Sequence, residues 1–519
     1  MFKIRRTKII MFITLTLIFF QPLAAGSSIR QMNTTIIADL NQTIDEDIRS
    51  LVDTDRLEIE RSPFFNVIWS PDEKSALISA QLNVYPKKQG KTQSGYISAL
   101  YMADKEFMNI SRISWTEFTT TNHGKIIESP SWSLSGDHFA YEELTLGKMY
   151  SITSAQLSIV STDLQQVQHI KMDNKMLFNY NYPLNYQWSP VDERIAVPAS
   201  RELVVYDPVQ KTNLAFEIDN DASNIDSLEW SADSKKIVFL ENAKDIVSIN
   251  TDNLKRRIIY SSEDARLYNA GWSPDSTKLV FYDLKGSDEN GNAYTDLYIL
   301  DENTNGTEKI NLSKSNYWIV DWYPGSEKLL VIEHSSGSSK LCSISMAGET
   351  KVLYGGVELL EGHLGPNNYI SVFDPYTYEL FVFNEASEQR FLNVTRYSWI
   401  NNDLLFTTDN KTSIFNESTN TIWEIPISSK YPNYISLSPQ QNFIAIDNLI
   451  LEMNYEKSPS TITRDQVNST GIQIVALDNN SNYQPQANTT ASSHSPGFSA
   501  ILALIGLVAA LIYVHLKKQ

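Results

Sequence analysis

The chain has 519 residues, of which 61 are acidic and 43 basic, and its formal net charge is −18. This acidic balance argues against nucleic acid as a partner, because phosphate binding needs a basic surface. The single cysteine, Cys342, excludes an internal disulfide and is expected to be a buried small hydrophobe, so the core must supply the stability.

Residues 1–25 have the three parts of a secretory signal peptide. A basic stretch at residues 3–8 precedes an apolar run at residues 9–20, and small residues end at Ala25, the expected cleavage point. The alternative is an uncleaved membrane anchor, although twelve apolar residues are short for a span of about 20.

Residues 26–60 form a polar N-terminal segment with three short patterned stretches. Residues 34–40 and 57–61 have the character of strands, and residues 44–53 are expected to make a short helix. One of the two strands is a candidate for completing the last unit of the repeat array that follows.

Residues 61–477 are built from a repeat that opens with Trp and a Ser-Pro-Asp turn, most fully at residues 271–282, GWSPDSTKLVFY. Proline fixes φ at the value that a turn needs, and Ser and Asp hydrogen-bond to the nearby backbone. The β-branched and aromatic run after each turn predicts a strand. Seven of the ten tryptophans anchor copies: Trp69, Trp132, Trp188, Trp230, Trp272, Trp322 and Trp399. Weaker copies begin at Leu364 and Leu437, which makes nine anchors.

The anchors in the middle of the chain recur about every 40 to 50 residues, the period of propeller repeats. Each copy holds about four short strands, and such a blade buries both faces only when it is stacked between neighbours around an axis. The sequence therefore predicts an all-β protein with a single β-propeller of about eight blades, with seven to nine open. The alternative is a pair of β-sandwiches with coincidental Trp-Ser-Pro turns.

The copies of the repeat, with their W-S-P-D-x-x-K core, resemble the WD40-like repeat of the TolB type, which also occurs in the propellers of prolyl oligopeptidases and dipeptidyl peptidases. The resemblance covers about residues 60–477 and implies a propeller fold. The chain departs from the family pattern at Leu364, Trp399 and Leu437, where the Ser-Pro-Asp turn is eroded.

The C-terminal end changes composition twice. Residues 478–495 are rich in Asn, Ser, Thr and Gln and predict an extended stalk. Residues 496–519 contain Pro496, Gly497 and Phe498, an apolar stretch about long enough to span a bilayer, and terminal lysines that favour an inside end.

This end resembles the PGF-type C-terminal sorting signal of archaeal surface proteins. The resemblance implies an archaeosortase-type processing enzyme as a partner, removal of the helix and transfer of the chain to a membrane lipid, a logic similar to that of other lipid-anchor signals. The alternative is an ordinary transmembrane anchor. Both interpretations place the propeller on the extracellular face of the cell membrane.

Asn-x-Ser/Thr triplets agree with an exported glycoprotein, since such a triplet marks a candidate glycan acceptor in a secreted chain. The candidate acceptors are Asn33, Asn41, Asn109, Asn305, Asn311, Asn393, Asn410, Asn416, Asn468, Asn479 and Asn488.

The sequence shows no catalytic set. It lacks the G-x-S-x-G elbow of a serine hydrolase and the H-E-x-x-H of a zinc protease, and its seven His residues form no i, i+4 pair. Asp301, Asn303 and Asn305 make a weak calcium candidate, but Leu312 stands where the bidentate Glu should be, and a hairpin turn is the preferred interpretation. No cofactor is expected.

The sequence therefore favours a non-enzymatic, membrane-anchored propeller that binds or scaffolds an unknown extracellular protein, peptide or glycan. Tyr-rich stretches at residues 179–188, 374–383 and 430–437 are candidates for an exposed binding surface, or pack between blades. Two alternatives stay open: a polysaccharide lyase or hydrolase whose central funnel leaves no linear motif, and a structural component of the cell envelope.

Overall fold

The structure is a computed structural model that describes most of residues 28–455 and one short segment beyond them. The described ranges are 28–87, 95–120, 123–147, 152–172, 186–199, 202–218, 225–253, 255–263, 266–287, 293–304, 306–313, 315–335, 338–357, 361–385, 387–408, 411–427, 434–455 and 473–476.

The N-terminal segment supplies three strands and two short helices before the repeats begin. They are β1 Ser28–Gln31, β2 Asn33–Asp39, α1 Leu40–Thr43, α2 Asp45–Ser50 and β3 Leu57–Ile59. Helix α2 is fixed to the first blade by Asp47, whose carboxylate accepts hydrogen bonds from Arg112 Nη1 at 2.6 Å and from the Tyr101 hydroxyl at 2.8 Å.

Eight hydrogen-bonded sheets make up the described part of the repeat region. The largest has ten strands and spans two four-stranded units, so the strands form nine units, called blades 1 to 9 in chain order. Blades 1 to 3 contain β4 Phe64–Trp69, β5 Ser75–Pro86, β6 Gly95–Asp104, β7 Asn109–Thr119; β8 His123–Trp132, β9 His138–Leu146, β10 Ile152–Ser161, β11 Val167–Met172; β12 Gln187–Trp188, β13 Ile195–Ala199, β14 Glu202–Asp207 and β15 Thr212–Glu217.

Blades 4 to 6 contain β16 Ile225–Trp230, β17 Lys236–Glu241, β18 Asp245–Asn250, β19 Lys255–Ser261; β20 Leu267–Trp272, β21 Lys278–Ser287, β22 Ala293–Asp301, β23 Gly306–Lys309; β24 Asn316–Trp322, β25 Lys328–Ser335, β26 Ser338–Ser345 and β27 Thr350–Val357. Blades 7 to 9 contain β28 Glu361–Leu364, β29 Ile370–Asp374, β30 Glu379–Phe383, β31 Glu388–Phe391; β32 Val394–Ile400, β33 Asp403–Thr408, β34 Thr412–Asn416, β35 Thr421–Ile425; β36 Ile435–Leu437, β37 Phe443–Ile446 and β38 Leu449–Asn454.

Both ends of the described chain add strands to the blades at the point of closure. Strand β2 pairs antiparallel with β38 and is the fourth strand of blade 9. Strand β1 adds a parallel fifth strand to β35 of blade 8, and a last strand, β39 Gln473–Ala476, pairs parallel with β7 of blade 1. The closing blade thus combines strands from opposite ends of the chain.

In blades 1, 4 and 5 the turn after the anchor is held by the serine and aspartate that the repeat supplies. In blade 5, the Ser273 hydroxyl donates to Asp275 at 2.6 Å and accepts the Lys278 N–H at 2.9 Å. Burial alone would raise the pKa of Asp275, but the hydrogen bonds from Ser273 and Thr277 lower it to about 2. The same serine–aspartate bond recurs in blades 1 and 4, which is why the motif repeats.

Several anchor tryptophans tie their blade to the one before it by a hydrogen bond. The indole N–H of Trp132 donates to the carbonyl of Ile68 at 2.8 Å, and that of Trp322 donates to the carbonyl of Gly271 at 3.3 Å. Trp69 closes the ring in the same way, because its indole N–H donates to the carbonyl of Ser436 in blade 9 at 3.4 Å.

The buried apolar side chains of the described residues form nine clusters, one at each junction between neighbouring blades. The junction of blades 9 and 1 includes Ala38, Ile450 and Ile78 together with Ile44 and Ile48 of the helical segment. The ring is therefore closed by packing as well as by hydrogen bonds.

The all-β propeller fold predicted from the repeats is confirmed. The described blades number nine, one more than the preferred eight and within the range left open, because the eroded copies at Leu364, Trp399 and Leu437 each form a blade. Cys342 is fully buried in the junction of blades 5 and 6, as expected, and burial raises the pKa of its thiol to about 11.

Candidate functional site: the axial channel

The first strand of each blade surrounds the axis of the ring. The first strands of neighbouring blades contact one another, for example β16 with β20 and β24 with β28, as the innermost strands of a propeller do around its central channel. All first strands run the same way and end at the anchor turns. We call that end of the ring the anchor face, and the opposite end, where the second and third strands connect, the hairpin face.

One position on the channel wall carries a different type of residue in most blades, whereas the anchor is nearly always Trp. It is the residue directly before each anchor, here called the pre-anchor residue. From blade 1 to blade 9 these residues are Ile68, Ser131, Gln187, Glu229, Gly271, Asp321, His363, Ser398 and Ser436. Titratable side chains occupy this position only in blades 4, 6 and 7, so one arc of the channel wall differs chemically from the rest.

Glu229 lies over the backbone of the next blade. Its Oε2 accepts the backbone N–H of Trp272 at 3.2 Å, and a Cβ added to Gly271 would approach the same oxygen to 3.4 Å. Because Gly271 has no side chain, the carboxyl group of Glu229 can extend across blade 5 toward blade 6. Burial raises the pKa of Glu229 to about 8, and the negative charge of Asp321 contributes to the rise while the Trp272 N–H opposes it.

Asp321 is the pre-anchor residue of blade 6 and reaches solvent. Although its side chain is exposed, surrounding protein atoms reduce its hydration, and this burial raises its pKa to about 6. Asp321 is therefore exposed to solvent and at the same time surrounded by protein atoms. This environment is typical of a carboxyl group that lines a confined, water-filled space. At neutral pH Glu229 is mostly protonated and Asp321 is mostly ionised.

Blade 7 continues this arc with Glu361 and His363. Burial lowers the pKa of His363 and raises that of Glu361, so the imidazole is favoured in its neutral form. The His363 ring lies edge-on to Tyr397 of blade 8, with ring centroids 5.7 Å apart. Burial, and after it the charge of Glu361, raise the pKa of Tyr397.

Nearer the hairpin face, the wall carries exposed aromatic side chains. Tyr268 and Trp318 stand four residues before the anchors of blades 5 and 6, and they are 43% and 48% exposed. Each ring packs against a second ring. Tyr268 stacks on Tyr282 with ring centroids 5.7 Å apart, and Trp318 and His334 form an edge-to-face pair with centroids 4.3 Å apart. Glu128 holds the equivalent position in blade 2, and burial raises its pKa.

The tyrosine-rich stretches named in the sequence contribute to the hairpin face. Tyr376 and Tyr378, in the connection between the second and third strands of blade 7, are 62% and 53% exposed. Tyr434, just before the first strand of blade 9, is 41% exposed. Within the described residues these three tyrosines are surface groups, whereas Tyr186 packs between blades 2 and 3 and its hydroxyl donates to the carbonyl of Ala140 at 3.2 Å. Residues 179–185 lie outside the described part.

The arrangement can stack a ligand on aromatic rings and meet it with negative charge deeper in the channel. Tyr268 lies three positions before Gly271 and Trp318 three positions before Asp321, and a β-bulge interrupts each strand between them. No group of three or more His, Cys, Asp or Glu side chains in the described ranges is arranged to hold a metal ion.

The calcium candidate at Asp301 is a turn in the structure. Asp301 Oδ1 accepts the N–H groups of Asn303 at 2.8 Å and of Thr304 at 3.0 Å, while Asn305 lies outside the described residues. The neighbouring Glu302 is paired with Lys236 at 3.0 Å and Arg257 at 2.5 Å. Calcium binding there stays a prediction without geometric support.

The candidate acceptor asparagines are scattered over the described surface. Asn311 and Asn393 lie in exposed connections, Asn33, Asn109 and Asn416 lie on strands and Asn41 on α1. The Asn416 amide nitrogen donates to Asp403 at 2.7 Å, so a glycan there would cost this bond. The remaining acceptors are Asn305, Asn410, Asn468, Asn479 and Asn488, and with Ala25 and the sorting motif Pro496, Gly497 and Phe498 they lie outside the described residues. No helix within the described ranges is long and apolar enough to cross a bilayer.

Motif searching did not find the channel-wall residues, because none of them belongs to a linear motif. The signal that could have found them is the repeat itself. Aligning the copies on their anchors, seven Trp and two Leu, shows that the preceding position changes from Ile to Ser, Gln, Glu, Gly, Asp and His. A variable position beside a structural one, repeated around a ring, points to a surface that is free of packing constraints.

The comparisons with known proteins bear on the fold alone. No protein-family profile matches the sequence, and no curated protein matches it. Among solved structures, the Dos1 propeller is 12% identical with a TM-score of 0.41, and the match covers 64% of this chain and 92% of that one. A chain in the crystal structure of the mitotic checkpoint complex is 15% identical with a TM-score of 0.34, and the match covers 54% of this chain and 90% of that one. The neighbours are β-propellers.

Proposed function

We propose that this protein is a non-enzymatic binding module whose axial channel receives an extracellular ligand. The observation that carries the proposal is the arc of blades 4 to 7, where the exposed rings of Tyr268 and Trp318 and the carboxyl groups of Glu229 and Asp321 share one channel wall. Exposed aromatic side chains with polar groups beside them are typical of recognition surfaces.

The cellular address belongs to the same proposal. The signal-like residues 1–25, the polar stalk and the Pro496-Gly497-Phe498 end support display on the outer face of the cell membrane, anchored by a C-terminal helix or a lipid after archaeosortase-type processing. The resemblance of the repeats to the TolB type, and of the C-terminal end to the archaeal PGF-type signal, supports a WD40-like propeller on an archaeal cell surface. Intact mass of the protein released from native membranes tests the address, since a sorted protein lacks residues 1–25 and the segment after Phe498.

Isothermal titration calorimetry against panels of oligosaccharides and peptides tests channel binding. We expect a ligand whose affinity falls at least about tenfold in Tyr268→Ala and Trp318→Ala, because each removes a stacking face. Trp115→Ala is the matched control, since Trp115 is 43% exposed but lies on β7, the fourth strand of blade 1, away from the axis. Equal loss in the control would argue against a channel site.

A second candidate function is glycoside hydrolysis, and the carboxyl pair favours it. Glycosidases use one protonated and one ionised carboxyl group, which is the state of Glu229 and Asp321 near neutral pH. Turnover of an oligosaccharide that disappears in both Glu229→Gln and Asp321→Asn, and persists in Glu308→Gln on β23, would establish it. Binding without turnover supports the non-enzymatic module.

A further inference from the structure

We propose that the ligand of the channel is an extended basic peptide segment, whose Lys or Arg side chains contact the rings of Tyr268 and Trp318 and reach the carboxyl groups of Glu229 and Asp321. This inference rests on the proposed channel-binding function and adds the chemistry of the ligand. Three features lead to it: the exposed rings, the carboxyl groups that have no Lys or Arg partner, and the extent and negative charge of the wall.

The rings are presented as preorganised platforms. Tyr268 and Trp318 are about half exposed, and each is held by a second ring, Tyr282 or His334, on its other side. Tryptophan and tyrosine faces attract ammonium and guanidinium groups through their quadrupoles, and a fixed ring loses less entropy when a ligand binds. The two rings therefore attract a cationic side chain even before it pairs with a carboxyl group.

The negative charge deeper in the wall has no cation of its own. Within the described residues, neither Glu229 nor Asp321 has a Lys or Arg within 4.0 Å, whereas the almost fully buried side chains of Glu302 and Glu241 are paired. The known partners of the two carboxyl groups are the backbone N–H groups of Trp272 and Trp322. An incoming cation would offset the electrostatic repulsion between the two carboxyl groups. It would also lower the pKa of Glu229, so that this group loses its proton.

The wall is long rather than compact. Tyr268 and Trp318 lie three positions before Gly271 and Asp321 on their strands, so the rings and the carboxyl groups lie at different depths and suit a ligand of several residues. A single metal ion would need at least three protein ligands, and no such group exists in the described ranges. An acidic peptide or a charged glycan of the same sign would be repelled by this wall and by the net charge of −18.

The test is calorimetric titration of the intact protein with a Lys-Gly-Gly-Lys peptide. The comparators are the same peptide with acetylated lysines, an all-glycine peptide, a Glu-Gly-Gly-Glu peptide and a neutral oligosaccharide. We expect binding of the lysine peptide alone, at least about tenfold weaker in Trp318→Ala, Tyr268→Ala, Asp321→Asn and Glu229→Gln. Trp115→Ala and Glu308→Gln, both exposed on outer strands, should change the affinity less than about twofold.

Proton release separates this site from non-specific attraction to an acidic protein. Because a bound cation lowers the pKa of Glu229, titrations in buffers with different ionisation heats should show protons leaving, and Glu229→Gln should abolish that release. Binding that is equal in all variants, or that releases no protons, overturns the inference. A neutral oligosaccharide that binds and depends on Trp318, with no binding of the lysine peptide, overturns it and leaves the channel function standing. No binding of the lysine peptide overturns the inference, and no binding of any of these probes or of the oligosaccharide and peptide panels overturns both.

Discussion

The hydrogen bond between an anchor indole and the preceding blade should contribute measurably to stability, and two neighbouring anchors allow it to be isolated. Trp230 and Trp272 are 4% and 5% exposed, and each has a cation near its ring: Arg194 at 5.2 Å from the Trp230 centroid and Lys236 at 5.5 Å from that of Trp272. The indole N–H of Trp230 donates to the carbonyl of Gln187 at 3.1 Å. That of Trp272 finds no acceptor among the residues that the structure describes.

Replacing each tryptophan with phenylalanine removes a similar volume, so the cavity cost should be similar at both sites. Trp230→Phe also loses a hydrogen bond of about 1 kcal/mol, whereas Trp272→Phe removes a buried, unsatisfied donor whose burial costs about 1 kcal/mol or more. We therefore expect Trp230→Phe to lower the free energy of unfolding by about 2 kcal/mol more than Trp272→Phe does.

Urea unfolding followed by far-ultraviolet circular dichroism measures this difference, provided that both variants share the slope of the wild type. Equal destabilisation of the two variants would refute the idea that the indole hydrogen bond, rather than indole volume alone, explains the recurrence of tryptophan. Greater destabilisation by Trp272→Phe would refute it more strongly.

Three further variants test other features by unfolding measurements. Asp39→Ala removes the cap of α1 and the bond from Asn448 to Asp39 at 2.6 Å, so it should cost about 1–2 kcal/mol, while the exposed Asp55→Ala should cost little. Glu302→Ala leaves Lys236 and Arg257 without their shared carboxylate and should cost about 2 kcal/mol, and a cost equal to that of Glu308→Ala would contradict the ion-pair role. Glu229 has a pKa of about 8 in the folded protein against about 4.3 when unfolded, so the folded state binds more protons in between and stability falls as pH rises through that window. Glu229→Gln should therefore lose less thermal stability than the wild type between pH 5 and pH 8, and an identical loss in both proteins would show that Glu229 ionises freely.

The sequence was sufficient for the blades because each one repeats the same local physics. The Ser-Pro-Asp turn and the buried Trp are visible in the chain, and the strong copies carry both. The blade number was harder to predict, because the eroded copies keep the strands while losing the turn residues. Blade 7 illustrates this: Leu364 replaces Trp, and a Gly365–Pro366 turn replaces Ser-Pro, yet Val372, Leu380 and Val382 are fully buried.

The channel wall could not be predicted to the same degree. The pKa of Glu229 is raised by burial and by the charge of Asp321, and lowered by the Trp272 N–H, so it depends on residues of blades 5 and 6 that lie far along the chain. No local sequence pattern predicts that these residues lie close together. The exposure of the Tyr268 and Trp318 side chains was equally hard to predict, because an aromatic residue on a strand is more often buried than exposed to solvent. Only the closed propeller shows which side of the strand faces the axis.

The shared construction of blade 9 has a consequence for how a newly made chain matures. Strand β2 is synthesised early, but β38, its partner, begins about 410 residues later. At about 5–20 residues per second, β2 waits on the order of 20–80 s before it can pair. During that interval the side of blade 1 that later meets Ala445 and Ile450 has no neighbour, so an unfinished ring exposes an apolar surface to water or to a chaperone. Maturation is thus limited by the arrival of the last blade, and a stalled or truncated chain would be vulnerable to aggregation and proteolysis even though most of its blades are complete.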